Sequence, residues 1–309
     1  MNSVDIKFNS LIEEIKNKSL EEIYNNIRMK FDMISPNIKN SLEDYFKKFP
    51  YWGKLNQNEG DYEELYNRAK SLKEHVDDYN WLYNHLEDYR SKKVLFAILN
   101  NWYEFDFDTL KTSAEKNYSH YFDLDLIKCT SNEVIVDLGA YTGDTILDYL
   151  NCYGIDKYKK IYCYEVTSES CAVLRKNLEY YPNIEVMEKA VSDKKEILYL
   201  NKSIVDNSAN TTKEEGDIKI EAVTIDEDIK DKITMIKMDI EGSEQKALLG
   251  CKKHIQKEHP KLLISVYHNH EDLWKIPTMI EEMTDKYKYH LRYYGNNIFP
   301  TEIVLIATN

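Results

Sequence analysis

Cysteine is sparse in this 309-residue chain. There are five, Cys129, Cys152, Cys163, Cys171 and Cys251, and no two of them form a CxxC pair. An odd number at irregular spacing argues against a zinc site or a disulfide framework and reads as free thiols in a reducing cytoplasm. Basic charge is also short, since 41 Lys and Arg stand against 54 Asp and Glu for a net charge of −13. A protein that follows the phosphates of RNA or DNA needs a basic stripe, and none is visible, which argues against nucleic acid as the partner. No stretch reaches the ~20 apolar residues of a membrane span. The first residues, Met1 to Lys7, lack the basic and apolar regions of a secretory signal, so a cytoplasmic protein is expected. Internal repeats and low-complexity tracts are absent as well. What is present suffices for a core: 42% of residues are hydrophobic, 31% are charged, and the mean hydropathy is −0.61. The length suits about two domains. The 25 tyrosines read as a compositional bias of the source.

Residues 1–128 carry apolar positions at helical spacing: Leu11, Ile12 and Ile15, then Leu20, Ile23, Tyr24 and Ile27. Pro36 and the run Pro50-Tyr51-Trp52-Gly53 interrupt the pattern. Asp61 is placed to cap a helix through Leu65, Ala69, Leu72 and Val76. Further helical stripes carry Trp81, Leu82, Leu86 and Tyr89, and then Val94, Leu95, Ile98, Leu99 and Trp102. These stripes predict an all-α region, 1–128, serving as an accessory or substrate-recognition part. The segment Tyr118–Ile127, with Tyr121-Phe122-Asp123 at its middle, is expected to fold over a pocket in the region that follows.

From Asn132 strands and helices alternate, the signature of an α/β domain with a mostly parallel sheet over 129–309. Strands are predicted at Val134–Leu138, Ile161–Glu165, Ile184–Met187, Ile233–Met238 and Leu262–Val266, with extra strands at Ile197–Leu200 and Ile218–Val223 around a polar loop, Asp206–Gly216. Helices are expected at Asp144–Leu150, from a cap at Ser168, at Gln245–Leu249 and over Leu273–Met283, where Pro277 implies a helix start. Tyr287–Tyr293 and Ile303–Ala307 read as an antiparallel C-terminal hairpin.

The chemistry gathers at strand ends, where open α/β sheets bind ligands. Val134-Ile135-Val136-Asp137-Leu138-Gly139-Ala140-Tyr141-Thr142-Gly143-Asp144-Thr145 is strand, glycine turn and helix start in succession. Its spacing is G-x-x-x-G, not the G-x-G-x-x-G of dinucleotide sites. Asp137 repels a pyrophosphate and attracts a cation, which favours S-adenosylmethionine, a sulfonium carrying an ammonium group. A turn that binds nothing is the plain alternative. Glu165 ends the next strand, where a carboxylate accepts both ribose hydroxyls of a nucleoside. Lys189-Ala190-Val191-Ser192 would lie beside the adenine with backbone amides available to it. Asp239-Ile240-Glu241-Gly242-Ser243-Glu244 sets three carboxylates at another strand end. Asp239 and Glu241 are candidate reaction-face acids; Glu244 has helix N-terminal charge as its structural alternative. His268 and His270 follow the strand at Leu262–Val266, and an imidazole there can take a proton from an acceptor. These spacings are unspecific for a metal, and no metal ligands are assigned.

Val134–Thr145, Val223–Glu227 (VTIDE), Ile236–Glu244 (IKMDIEGSE), Ile264–Pro277 and Tyr289–Leu305 together resemble the FkbM-type methyltransferases over residues 118–309. The resemblance implies a class I, Rossmann-like fold dependent on S-adenosylmethionine, and methylation of hydroxyls on sugars or glycan-linked small molecules of surface polysaccharide or flagellin glycan. It matches Asp137, Gly139 and Gly143 to the cofactor loop, Glu165 to the ribose carboxylate, and His268, Asp239 and Glu241 to the catalytic face; Ala140, Tyr141, Asp144, Thr145, Ala190 and Asp239 are expected at the cofactor beside them. Tyr121, Glu244, His270 and Arg292 are expected at the acceptor, with Arg292 meeting an anionic group. The segment His290-Leu291-Arg292-Tyr293-Tyr294 departs from the Arg-His-Tyr often found in the family. Two other functions fit these residues: N-methylation of an amino sugar or glycan-attached amino acid, and a non-catalytic scaffold that binds the cofactor.

Overall fold

The structure, a computed structural model, describes residues 2–49, 52–200, 212–213, 218–296 and 298–309. The expected break at Pro50-Tyr51 and most of the expected loop Asp206–Gly216 lie outside the described residues. Contacts divide the chain into two compact units that interleave in sequence: residues 1–116, 266–278 and 288–305 form the first, and residues 117–265, 279–287 and 306–309 the second. A single cut at residue 128 does not describe this division, because the chain leaves and re-enters the first unit.

The first unit is built on seven helices, α1 (Ser3–Asn17), α2 (Leu20–Met33), α3 (Pro36–Lys48), α4 (Glu63–Glu74), α5 (Val76–His85), α6 (Tyr89–Glu104) and α7 (Phe107–Ser113). Local chemistry sets their starts. Asn2 and Ser19 form capping boxes with Asp5 and Glu22, satisfying three amides at the start of α1 and two at the start of α2. Pro36 begins α3 as its first residue instead of breaking a helix, since a proline there forfeits no internal hydrogen bond. Asp61 does not cap α4. Tyr62 occupies the N-cap without a side-chain bond, although the Glu63 amide donates to Asp61 at 3.3 Å. Phe8, Phe31, Trp102 and Tyr103 are buried, and the Trp52 ring packs on Trp102, His270 and Phe299.

The second unit opens with β1 (Val134–Leu138), α8 (Asp144–Tyr153), β2 (Lys160–Glu165), α9 (Ser168–Asn177), β3 (Ile184–Glu188), β4 (Ala190–Val191), β5 (Glu196–Leu200), β6 (Thr212–Lys213) and β7 (Ile218–Val223). There follow α10 (Ile225–Asp228), β8 (Met235–Met238), α11 (Glu244–Gly250), α12 (Lys252–Glu258) and β9 (Lys261–Ser265); of the remaining elements, α13 (Asp272–Met283) and β11 (Ile303–Thr308) are divided between the two units and β10 (Lys288–Tyr293) belongs to the first. The strand order of the main sheet is β10-β11-β9-β8-β1-β2-β3. Pairing is parallel from β9 through β8, β1 and β2 to β3. β1 lies between two parallel neighbours and is buried at every residue, the reason its sequence is a continuous apolar run broken only by Asp137. β10 and β11 are neighbours joined by a connection too short for a crossover, so they run antiparallel as expected, and Tyr294 N–H donates to Glu302 O at 3.0 Å. The two extra strands pair antiparallel as β5 and β7 in a separate small sheet, β4-β7-β5-β6. Two local expectations are corrected. Thr167, not Ser168, caps α9, because its side chain accepts from the Ser170 amide. Pro277 lies inside α13 instead of starting a helix.

Candidate active site

A cleft opens in the second unit at the carboxyl ends of β1, β2 and β8. Leu138 comes to it from the end of β1, Gly139 and Tyr141 from the turn that follows, Tyr164, Glu165 and Val166 from the end of β2, Lys189 from the link before β4, Ala190 and Val191 from β4, and Asp239, Ile240, Glu241 and Ser243 from the turn after β8. Of the residues expected at the cofactor, Gly139, Tyr141, Glu165, Ala190 and Asp239 line this cleft. Ala140, Gly143, Asp144, Thr145 and Asp137 do not.

Gly139 has φ +80°, and a Cβ there would stand 1.8 Å from the Asp239 carbonyl oxygen. No other residue fits, so the glycine is required by close approach of two backbones. Four of the turn's amides are spent inside the protein. Gly139 and Ala140 N–H donate to Tyr164 O, each at 3.0 Å, and Gly143 N–H donates to Ala140 O at 2.8 Å. Tyr141, also left-handed at φ 45°, donates its N–H to Glu165 Oε2 at 3.0 Å. The turn thus shapes the cleft and orients Glu165.

Glu165 is buried and gripped on both oxygens, with Oε1 accepting from the Thr167 N–H at 2.9 Å and from its hydroxyl at 3.1 Å. Burial pushes its carboxyl above the ordinary range, against the pull of those bonds and of the Tyr141 amide. Oε1 already accepts two of these bonds and Oε2 one, so the carboxylate is fixed in place before a ribose hydroxyl reaches it. The expected amides beside an adenine are partly consumed: Ser192 N–H donates to Val223 O at 2.9 Å, and β4 pairs with β7. What the cleft presents there is apolar, namely Val166, Ala190 and Val191. Lys189 reaches Asp228 at 2.7 Å, and the Tyr164 hydroxyl donates to the same carboxylate at 2.7 Å. Sequence reading passed over that network.

On the acidic side, Asp239 accepts from the Tyr121 hydroxyl at 2.7 Å, and that hydroxyl also lies 3.1 Å from Ser265 Oγ. Tyr121 is thereby tied to Asp239, although it is not among the residues that line the cleft. His120 stacks on Tyr121 with ring centroids 4.0 Å apart, and burial lowers its pKa to about 4 despite the field of Asp239. Glu241 lines the cleft from a left-handed residue, φ 56°, followed by Gly242 at φ 97°. Glu244 is fully buried, and its Oε1 accepts from the Ile240 amide at 2.9 Å, closing the Asp239–Glu244 turn on itself. That is a structural duty, and Glu244 is not among the lining residues.

Asp137 is 0% exposed and lies 3.0 Å from the Lys237 ammonium, which also donates to Gly139 O at 2.8 Å. Its expected partner was the cofactor's cationic end; the cation it meets is a lysine of β8. The Lys237 ammonium is opposed by burial but held above its usual range by Asp137 and then Asp239. Lys237 was missed from sequence, although a lone charge within the apolar run Met235–Met238 is a visible signal.

His268, His270 and Arg292 belong to the first unit. His268 is buried, with its ring 4.2 Å from that of Tyr267. His270 packs on Trp52 with centroids 4.1 Å apart, and burial, with the Arg68 charge behind it, lowers its pKa to about 3. Arg292 is 2% exposed, paired with Asp88 at 2.7 Å and donating to Ser91 Oγ at 2.9 Å and Leu291 O at 2.9 Å. The expectation that it meets an anionic acceptor is corrected by this burial, because its guanidinium joins β10 to α6.

The cleft fits S-adenosylmethionine. A held carboxylate stands ready for the ribose at Glu165, apolar walls at Val166, Ala190 and Val191 suit a planar base, and Asp239 and Glu241 suit a cationic methionine end. Among the described residues no helix is long and apolar enough to cross a membrane. No curated protein matches the sequence. The solved methyltransferase FkbM from Methylobacillus flagellatus KT is 24% identical, with a TM-score of 0.65 over 77% of this chain and 61% of that one. This chain thus spans less than two thirds of that relative's length. An rRNA methylase from Streptococcus thermophilus, 12% identical, has a TM-score of 0.39 over 59% of this chain and 89% of that one. Fibrillarin from Aeropyrum pernix, solved with natively bound S-adenosylmethionine, is 11% identical with a TM-score of 0.37 over 60% of this chain and 70% of that one. The family model of the methyltransferase FkbM domain matches residues 137–295, and the chain belongs to the FkbM family of S-adenosylmethionine-dependent methyltransferases.

Proposed function

We propose that this protein transfers a methyl group from S-adenosylmethionine to a hydroxyl of a sugar or glycan-linked small molecule, as in modification of surface polysaccharide or flagellin glycan. The observation that carries the reading is the acidity of the cleft. Glu165, Asp239 and Glu241 line it, and the one lysine among its lining residues, Lys189, is engaged with Asp228. Such a lining disfavours a polyanionic acceptor and admits a neutral polyol. Bound S-adenosylmethionine supplies an electrophilic methyl group. The protein's part is positioning, which accounts for most of the acceleration in a displacement of this kind. Glu165 and the apolar wall fix the nucleoside. Asp239, oriented by the Tyr121 hydroxyl, accepts from the acceptor and aims its oxygen. Proton acceptance falls to His268, a role that the family resemblance supports. Five free cysteines support a reducing, cytoplasmic setting.

The same acidity favours a second reading, N-methylation of an amino sugar or glycan-attached amino acid, because an ammonium acceptor gains from Asp239 and Glu241. Incubation with methyl-labelled S-adenosylmethionine and a set of neutral and amino sugars separates them. Fragmentation mass spectrometry is expected to place the label on oxygen, and a label on nitrogen rejects the hydroxyl reading. With the accepted sugar saturating, His268→Ala is expected to lower kcat by about 10²- to 10⁴-fold, the usual share of a general base; an unchanged kcat removes His268 from the mechanism.

A further inference from the structure

A lysine ammonium buried in the middle of a sheet calls for a reason. Lys237 is 3% exposed, on a strand whose other residues, Met235, Ile236 and Met238, are apolar and buried. The ion pair with Asp137 does not supply that reason, because a well-packed apolar pair of similar volume is commonly as stable or more so. An apolar pair lacks a donor, however, and Lys237 uses its donors at a particular place. It donates to Gly139 O at 2.8 Å, while the ammonium stands 3.0 Å from Asp137 Oδ1 and 5.4 Å from the centre of the Tyr121 ring.

Those contacts converge on the joint between two walls of the cleft. Gly139 belongs to the wall after β1, and Asp239 to the wall after β8. Their backbones touch, since an added Cβ on Gly139 would meet Asp239 O at 1.8 Å, and the Asp239 amide donates to Leu138 O at 3.0 Å. Tyr121, over the Lys237 ammonium, holds Asp239 Oδ2 at 2.7 Å. Lys237 is absent from the cleft lining, but its ammonium holds the carbonyl of Gly139, which does line it.

We propose that Lys237 is a positioning residue for the cofactor: its ammonium, neutralised by Asp137, clamps the Gly139 carbonyl and so holds the glycine turn and Asp239 at the spacing the ligand requires. Asp137 serves the cofactor through Lys237, not by touching it. The inference rests on the reading of the cleft as the cofactor site.

The test uses the full-length chain and S-adenosylhomocysteine, the demethylated product, as the probe. Asp137→Asn/Lys237→Met removes both charges and the donor to Gly139 O together, which avoids stranding one buried charge. Calorimetry is expected to show wild-type protein binding the probe and the double variant binding at least tenfold more weakly, with a melting temperature within a few degrees of wild type. A folded double variant with wild-type affinity overturns the role of Lys237 and leaves the cleft reading intact; wild-type protein that does not bind overturns both. For a double variant that fails to fold, nitrogen-15 NMR of the wild-type Lys237 ammonium decides instead. Exchange of its protons with solvent is expected to slow on adding the probe, and an unchanged rate and chemical shift overturn the proposal.

Discussion

Glu165 shows how a ligand group is prepared before a ligand arrives. Three donors from Tyr141 and Thr167 hold its two oxygens, so little freedom remains to be lost on binding. Glu165→Gln must turn an NH₂ toward one of those donors. The loss of a buried hydrogen bond, about 1–3 kcal/mol, is expected to weaken S-adenosylhomocysteine binding about tenfold or more in calorimetry, and an unaltered affinity would remove Glu165 from the site. Its position was legible in the sequence, because a carboxylate ends the predicted strand that follows the glycine turn. Arg292 was not legible. Its partner Asp88 lies 204 residues away, and nothing local distinguishes an arginine that meets a ligand from one that joins a strand to a helix.

At the scale of elements, the strand–turn–helix unit β1–α8 depends on one absent side chain. Gly139→Ala adds a methyl group against the Asp239 carbonyl and places it in the left-handed region. Overpacking and backbone strain together are expected to cost about 3 kcal/mol, read as a lower urea midpoint together with lost binding of the product. A variant as stable as wild type would contradict the close approach. Alternation of apolar runs and polar breaks located the parallel strands to within a few residues. Caps and prolines were harder to place. Thr167 and Ser168 are both able to cap, and the backbone at Thr167 decided between them. Pro36 and Pro277 carry the same chemistry, but one begins a helix and the other lies inside one.

Over the whole molecule, two neutral imidazoles link folding to acidity. His120 at about 4 and His270 at about 3 lie below the ordinary histidine value of 6.5. The unfolded chain therefore binds protons that the folded chain refuses, so the contribution of each is full above about pH 6.5 and declines as pH falls toward its folded value. By pH 5 each is expected to have lost about 2 kcal/mol. Denaturant titrations at several pH values are expected to show a shallower acid loss in His120→Asn/His270→Asn than in wild type, and parallel curves would refute the linkage.

By itself the sequence determined the order of elements, the glycine turn, the strand-end acids and, through the motif from Ile236 to Glu244, the family. These are local properties, set by side-chain period, by the conformational freedom of glycine and by short-range spacing. Only the tertiary structure decided which charge answers which. Asp137 is answered by Lys237, 100 residues later in the chain, and Asp239 by Tyr121, across 118 residues of sequence. The energy of a buried charge depends on its neighbours within a few ångströms, and the chain does not reveal those neighbours until it folds.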